Sequence, residues 1–321
     1  MRVYAPLRNV SISFACLLGL FGTFLPALGR AETLKIAVQE PAPSETLIGS
    51  HVIAREFELT GRWAERWAAR VTSRFAGAQL FGKPMFDMPV PSDPDRADLV
   101  ITGTFDYSAQ HIEVEPEVTR KCVERDGEDN CINWSEKVKP CEQLDQIVSG
   151  SVEIIHRATG APVYQFSDTD ITSTVACGAA GPLPSMHAEE MLEGLALQVA
   201  FELLPRHEVK PVRIRESRKG LSGADRKLFK RAVGLTDDAP DEACAVFADL
   251  LKRNPDQLST IFNVGLCAEA AKDLDTAYEM YVRALTLNPK LSYARSGLKR
   301  IELVTRAEDQ YERHFADKMP Q

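Results

Sequence analysis

The sequence predicts an α+β amino-terminal half followed by an all-α module of helical hairpins. Three observations carry this expectation. Strand-patterned and helix-patterned segments are mixed between residues 33 and 205, only helical patterns occur from 223 to 316, and 321 residues exceed what one hydrophobic core ordinarily holds. The expected division is a signal peptide over 1–31, an α+β domain over 32–205, a linker over 206–222 and a helical module over 223–316. With 44% apolar and 26% charged residues, the chain is neither disordered nor collagenous.

Residues 1–31 read as a secretory signal. Arg2 and Arg8 give the basic start, Val10 to Leu28 is apolar or small throughout, and Gly29-Arg30-Ala31 offers small residues for cleavage before Glu32. The apolar run of 19 residues could also remain as an uncleaved inner-membrane tether, but Gly19, Gly22 and Pro26 break helices and favour cleavage. Cys16 lies too early for a lipoprotein signal, so no lipid anchor is expected. Export from a bacterial cytoplasm places the mature chain in the periplasm. That chain holds 35 basic and 46 acidic residues, a net of −11, which argues against a nucleic-acid partner.

Thr33 to Val38 alternates apolar and polar side chains and predicts an opening strand. From Thr60 to Phe75, Trp63, Trp67, Val71 and Phe75 fall every four residues, one face of an amphipathic helix, with Arg62, Arg66 and Arg70 on another. Residues 82–97 are rich in Pro and Asp and read as loop. Asp98 to Tyr107 predicts a buried strand, and 108–145, polar and carrying three Cys, a long disulfide-clasped excursion. Gln146 to Ile155 and Ala161 to Ile171 predict two strands turning through His156 to Gly160, and Met186 to Leu204 predicts a second helix.

The opening strand, the helix carrying Trp67 and Phe75, the run Ala97-Asp98-Leu99-Val100-Ile101-Thr102-Gly103 and the turn Ala158-Thr159-Gly160 resemble the CsgG/LpoB/TolB-N-type periplasmic α+β domain. The resemblance covers residues 32–205. The lipid-attachment Cys of the lipoprotein members is absent, and 108–145 is too charged for the alternately apolar hairpins of a membrane pore, so the resemblance implies the fold and no activity.

Residues 258–291 fit a 34-residue helical-hairpin repeat. Val264, Gly265, Ala268, Ala277, Tyr281, Ala284 and Pro289 occupy the positions at which tetratricopeptide repeats carry Leu-Gly, a small or aromatic residue, Ala, an aromatic residue, Ala and Pro. Small residues let two antiparallel helices approach, Tyr281 fills the gap to the next repeat, and Pro289 ends the second helix. Ala243, Phe247 and Pro255 repeat the pattern one unit earlier, with Gly223 to Gly234 as a degenerate first helix, and Ser292 to His314 should cap the stack. The resemblance to tetratricopeptide repeats implies a groove for an extended peptide, lined by Ser259, Phe262, Asn263, Leu266, Glu269 and Tyr293. Its apolar and acidic character suits an apolar or mildly basic peptide.

An even count of six Cys in an exported chain favours disulfides. Fifteen pairings are open to six Cys. Cys244 and Cys267 fall opposite one another on adjacent antiparallel helices, Cys122 and Cys131 flank the turn signal Asp126-Gly127, and Cys141 and Cys177 bracket the two paired strands.

No cofactor or metal is expected, because the chain has no CxxC, HExxH, G-x-S-x-G or phosphate-binding loop. His187-Ala188-Glu189-Glu190 reads as the acidic first turn of a helix. The expected function is therefore a non-catalytic interaction or scaffold protein of the bacterial cell envelope, with a protein or peptide partner and self-association left open. The alternative is an enzyme with a dispersed site built on residues such as His111, His156 and Asp168.

Overall fold

The computed structural model describes residues 32–59, 61–88, 96–178 and 184–316, so the expected signal peptide and Cys16 lie outside the described residues. The chain is α+β, with a sheet-rich region followed by helices. In order, the elements of the first region are β1 (Thr33–Glu40), β2 (Ile53–Arg55), α1 (Arg62–Ala76), β3 (Gln79–Leu80), β4 (Lys83–Pro84), β5 (Leu99–Thr102), β6 (Phe105–Arg125), β7 (Cys131–His156), β8 (Pro162–Cys177), α2 (Pro184–Leu203) and β9 (Arg206–Arg213).

The central strand is β7. Its residues 144–150 pair with β6 on one edge and with β8 on the other, and β5 continues the β6 edge opposite residues 153–156. The expected strand over 98–107 is therefore divided into β5 and β6. Gly103 marks the break: a Cβ there would lie 2.1 Å from the Ser151 carbonyl oxygen, so only glycine lets the two backbones approach. Ser151 closes the gap, its hydroxyl accepting from the Thr104 N–H.

Period-two patterning puts Leu144, Val148, Val152 and Ile154 of β7 on one face, where α1 and α2 cover them. The expected α1 face is buried at Trp67, Val71 and Phe75, joined by Ala64 and Ala68. Trp67 donates its indole N–H to the Ser151 carbonyl, and Trp63 at the edge of the core packs on Tyr107. The arginine face pairs with α2, Arg66 with Glu189 and both Arg70 and Arg74 with Glu193.

The second region contains α3 (Gly223–Leu235), α4 (Pro240–Arg253), α5 (Leu258–Ala270), α6 (Leu274–Leu287) and α7 (Ser292–Phe315). Turns of three or four residues join consecutive helices, which pack as antiparallel neighbours. Local signals set the boundaries: Pro240 opens α4, and Asp273 caps α6 by accepting from the Thr276 N–H. Tyr281 lies between two glycines. Added Cβ atoms at Gly265 and Gly297 would come within 3.1 and 2.3 Å of its ring.

Two expectations about the division of the chain require correction. Residues 206–213 of the expected linker form β9, which pairs antiparallel with β1 along its whole length, from Thr33 opposite Arg213 to Glu40 opposite Arg206. Among the described residues the opening strand β1 pairs with β9 alone and does not join the α+β sheet. Its apolar residues Leu34, Ile36 and Val38 pack into the core of the helical region, beside Phe262, Leu266 and Ile301. The one-sided pattern of β1 needs an apolar surface, and α5 and α7 supply it.

The helix α7, expected as a cap, serves both cores. Ala294 and Ile301 belong to the helical core, and Ala307 and Phe315 to the α+β core. Its second half docks through polar groups as well. Gln310 accepts from the Ala42 N–H and donates to the Ala42 carbonyl, Arg313 forks onto Glu45, and His314 Nδ1 accepts from the Gly49 N–H.

All three expected cysteine pairs are disulfides: Cys122–Cys131, Cys141–Cys177 and Cys244–Cys267. The last joins α4 to α5 with a Cα separation of 5.6 Å. Cys141 and Cys177 face each other directly across β7 and β8. These bonds indicate an oxidising, extracytoplasmic compartment. Among the described residues, no helix is long and apolar enough to cross a membrane.

Candidate functional site

The expected peptide groove is assembled, but it is not open. Ser259, Phe262, Asn263, Leu266 and Glu269 all lie on α5 and all are buried; Tyr293 alone is well exposed, with its ring 6.0 Å from that of Phe262. The chain covers the face itself, since β1 packs against α5 and α7. Asn263, one of the expected groove-lining residues, accepts from the Arg215 N–H at 2.9 Å and donates to the Arg215 carbonyl at 3.0 Å. The expectation of a free groove is thus corrected. Phe262 and Leu266 made the face apolar, and the strand that covers it comes from the same chain.

The acidic character of the groove is also neutralised. Arg300 forks onto Glu269 with two bonds of 2.6 Å, and the Tyr281 hydroxyl donates to the same carboxylate at 2.6 Å. Burial, helped by the Glu269 charge, pushes the Tyr281 phenol far above its usual range, so it remains a donor. Burial works against the charge of Arg300, but its hydrogen bonds to Glu269 and the carboxylate's charge outweigh it and raise its pKa. This network joins α5, α6 and α7 and has no charge left for a basic peptide.

The residues of the alternative enzymatic reading are not brought together. His111 lies opposite Leu144, Asp168 opposite Gly150, and His156 at the end of β7. Six residues separate each station from the next, roughly 20 Å along a strand. Side chains at 187 lie outside the described residues. Among those described, no three His, Cys, Asp or Glu side chains form a metal-binding group.

The surface that does stand out is the distal part of the β6–β7 hairpin. β8 pairs with β7 only from Cys141 onward, so Glu117 to Arg125 and Cys131 to Pro140 project as a two-stranded arm, roughly 27 Å long. The Cys141–Cys177 bond ties its root to β8, and Cys122–Cys131 ties its end. Asp126 organises the tip by accepting from the Glu128 and Asn130 N–H groups. Those bonds hold its carboxyl below the usual carboxylate range.

The two faces of the arm differ. One carries Glu117 against Lys139 and Thr119 against Lys137; the other carries Val118 against Val138 and Cys122 against Trp134, spaced by the Arg120–Glu136 ion pair. Val118, Trp134 and Val138 are 49%, 55% and 58% exposed, and Val123 and Ile132 nearby are as open. By strand alternation Trp134 and Val138 continue the face that carries Leu144, Val148 and Val152 under α1 and α2. The core-type face therefore runs outward beyond its cover. Sequence reasoning saw 108–145 as charged and polar, because the apolar residues align only once the hairpin register is known.

No family model and no curated protein matches the chain. Among solved structures it is similar to the PelC dodecamer from Paraburkholderia phytofirmans, with 12% identity and a TM-score of 0.25, over 54% of this chain and 99% of that one. An overlap this loose carries no argument about fold or assembly.

Proposed function

We propose that this is an exported, non-catalytic interaction protein of the bacterial cell envelope, acting in the periplasm, which engages a protein partner through the β6–β7 arm. In this reading the helices α3–α7 are tetratricopeptide-type hairpins that serve as an internal brace, their groove filled by β1 and the segment that follows β9. The observation that carries the proposal is the apolar arm face of Val118, Trp134 and Val138, which continues a core face and is left open among the described residues. A two-stranded ribbon is marginal alone in water, and the two disulfides keep this one formed while its apolar face stays available.

The test is a photo-reactive residue placed at Trp134 on the apolar face and, separately, at Thr119 on the polar face, in protein held in its native envelope. A specific adduct from position 134 and none from 119 supports the reading. Equal yields at both positions, or none at either, refute it.

A further inference from the structure

A second feature lies away from the arm, at the amino-terminal end of α5. The segment after β9 crosses this end and, with the α4–α5 turn, encloses a cleft of about 470 Å³ lined by Arg215, Lys219, Gln257 and Ser259. The cradle is fixed. Asn263 holds the Arg215 backbone from both sides, and the Gln257 amide donates to the Ser217 and Lys219 carbonyls while its oxygen accepts from the Thr260 N–H.

The electrostatics are one-sided. The 13-residue helix α5 directs its amino-terminal partial positive charge here. Neither Arg215 nor Lys219 is paired with a carboxylate among the described residues. The one acid in the lining, Asp256, is 84% exposed and faces Arg283 at 3.7 Å.

Two polar groups also lack a partner. Ser259 is 1% exposed and its hydroxyl has no hydrogen-bond partner, and the Arg215 Nε is buried in the same condition. Buried donors left without acceptors are rare in folded chains, and here both line a cleft with a positive potential. We propose that this cleft binds an oxyanion, a phosphate or carboxylate group, with Arg215 and Lys219 supplying charge and Ser259 and the first turn of α5 supplying donors. The site is independent of the arm and of its partner.

The experiment is calorimetric titration of the full oxidised protein with inorganic phosphate, and in a second arm with acetate, at ionic strength matched by chloride. The expected result is saturable one-site binding of at least one of the two anions; the tighter one identifies the source of the ligand group. Arg215→Gln with Lys219→Gln should weaken binding at least tenfold, and Ser259→Ala several-fold, with unchanged circular dichroism and unchanged crosslinking from position 134. Neither anion binding above the chloride background, or the double variant binding as wild type does, overturns the proposal.

Discussion

Replacing Glu269 by Gln tests how the helical region is held together. The side chains of Glu269 and Arg300 are only 4% and 12% exposed, and three charge-assisted bonds of 2.6 Å converge on the carboxylate. Gln at 269 removes the charge, leaves the Arg300 guanidinium buried without a counter-ion and turns an amide NH₂ toward a group that only donates. Breaking a buried pair from one side costs about 3–5 kcal/mol. The internal control is Glu242→Gln. Its partner Arg231 is 66% exposed and Glu242 itself 51%, so that loss should stay under about 0.5 kcal/mol. Urea denaturation of oxidised protein, followed by helical circular dichroism, measures both. Adding Arg300→Met to Glu269→Gln removes the stranded charge and should restore much of the loss. A Glu269→Gln cost no larger than the control, or a double variant as costly as the sum of its parts, would refute the assignment of the network as the central tie.

Removing the Cys244–Cys267 bond with paired Ala substitutions reopens a loop of 23 residues and should cost about 3 kcal/mol, read as a lower urea midpoint for helix loss; an unchanged midpoint would count against the staple. Glu40 is held below its ordinary value of 4.5 by its hydrogen bond to Lys210, with Arg206 adding to it against the effect of burial. Since the folded pKa lies below the unfolded one, this stabilisation is complete above about pH 4.5 and is lost as the pH falls below that value, so Glu40→Gln should flatten the acid limb of a melting-temperature profile taken between about pH 3 and 6. Gln310→Ala leaves the buried Ala42 N–H and carbonyl without their side-chain partner, at about 1–3 kcal/mol per group, and should speed amide exchange in the second half of α7 more than in α5.

Local signals in the sequence were enough for the helices of the second half. Gly265, Ala277 and Pro289 act on neighbours within one hairpin and Tyr281 reaches only as far as the next helix, so α5 and α6 start and stop where their spacing implies. The cysteine pairs were legible for the same reason, each being set by a turn or a hairpin close in sequence. The β1–β9 pair was not. Its partners are 166 to 180 residues apart, and Arg206-His207-Glu208-Val209-Lys210 has the composition of a solvated linker because β9 buries little of itself. The filled groove left a signal that could have been weighed: Phe262 and Leu266 are large apolar residues on a face assigned to solvent. The arm was hidden for the opposite reason, both its faces being wet enough that neither strand shows a clean alternation.

The sharing of α7 between two cores has a consequence for how the chain is made. Synthesis runs from the amino terminus, and residues 292–316 emerge after every surface they complete. Until then Phe262 and Tyr281 on one side and Leu80 and Met85 on the other lack their last neighbour, so the nascent protein keeps two unfinished apolar faces open together. Nonsense and frameshift changes upstream of residue 292 should therefore behave as complete losses, the fragments being cleared by proteases instead of persisting as half-active modules. A protein whose halves were separately closed would tolerate division by gene fission; this one should not.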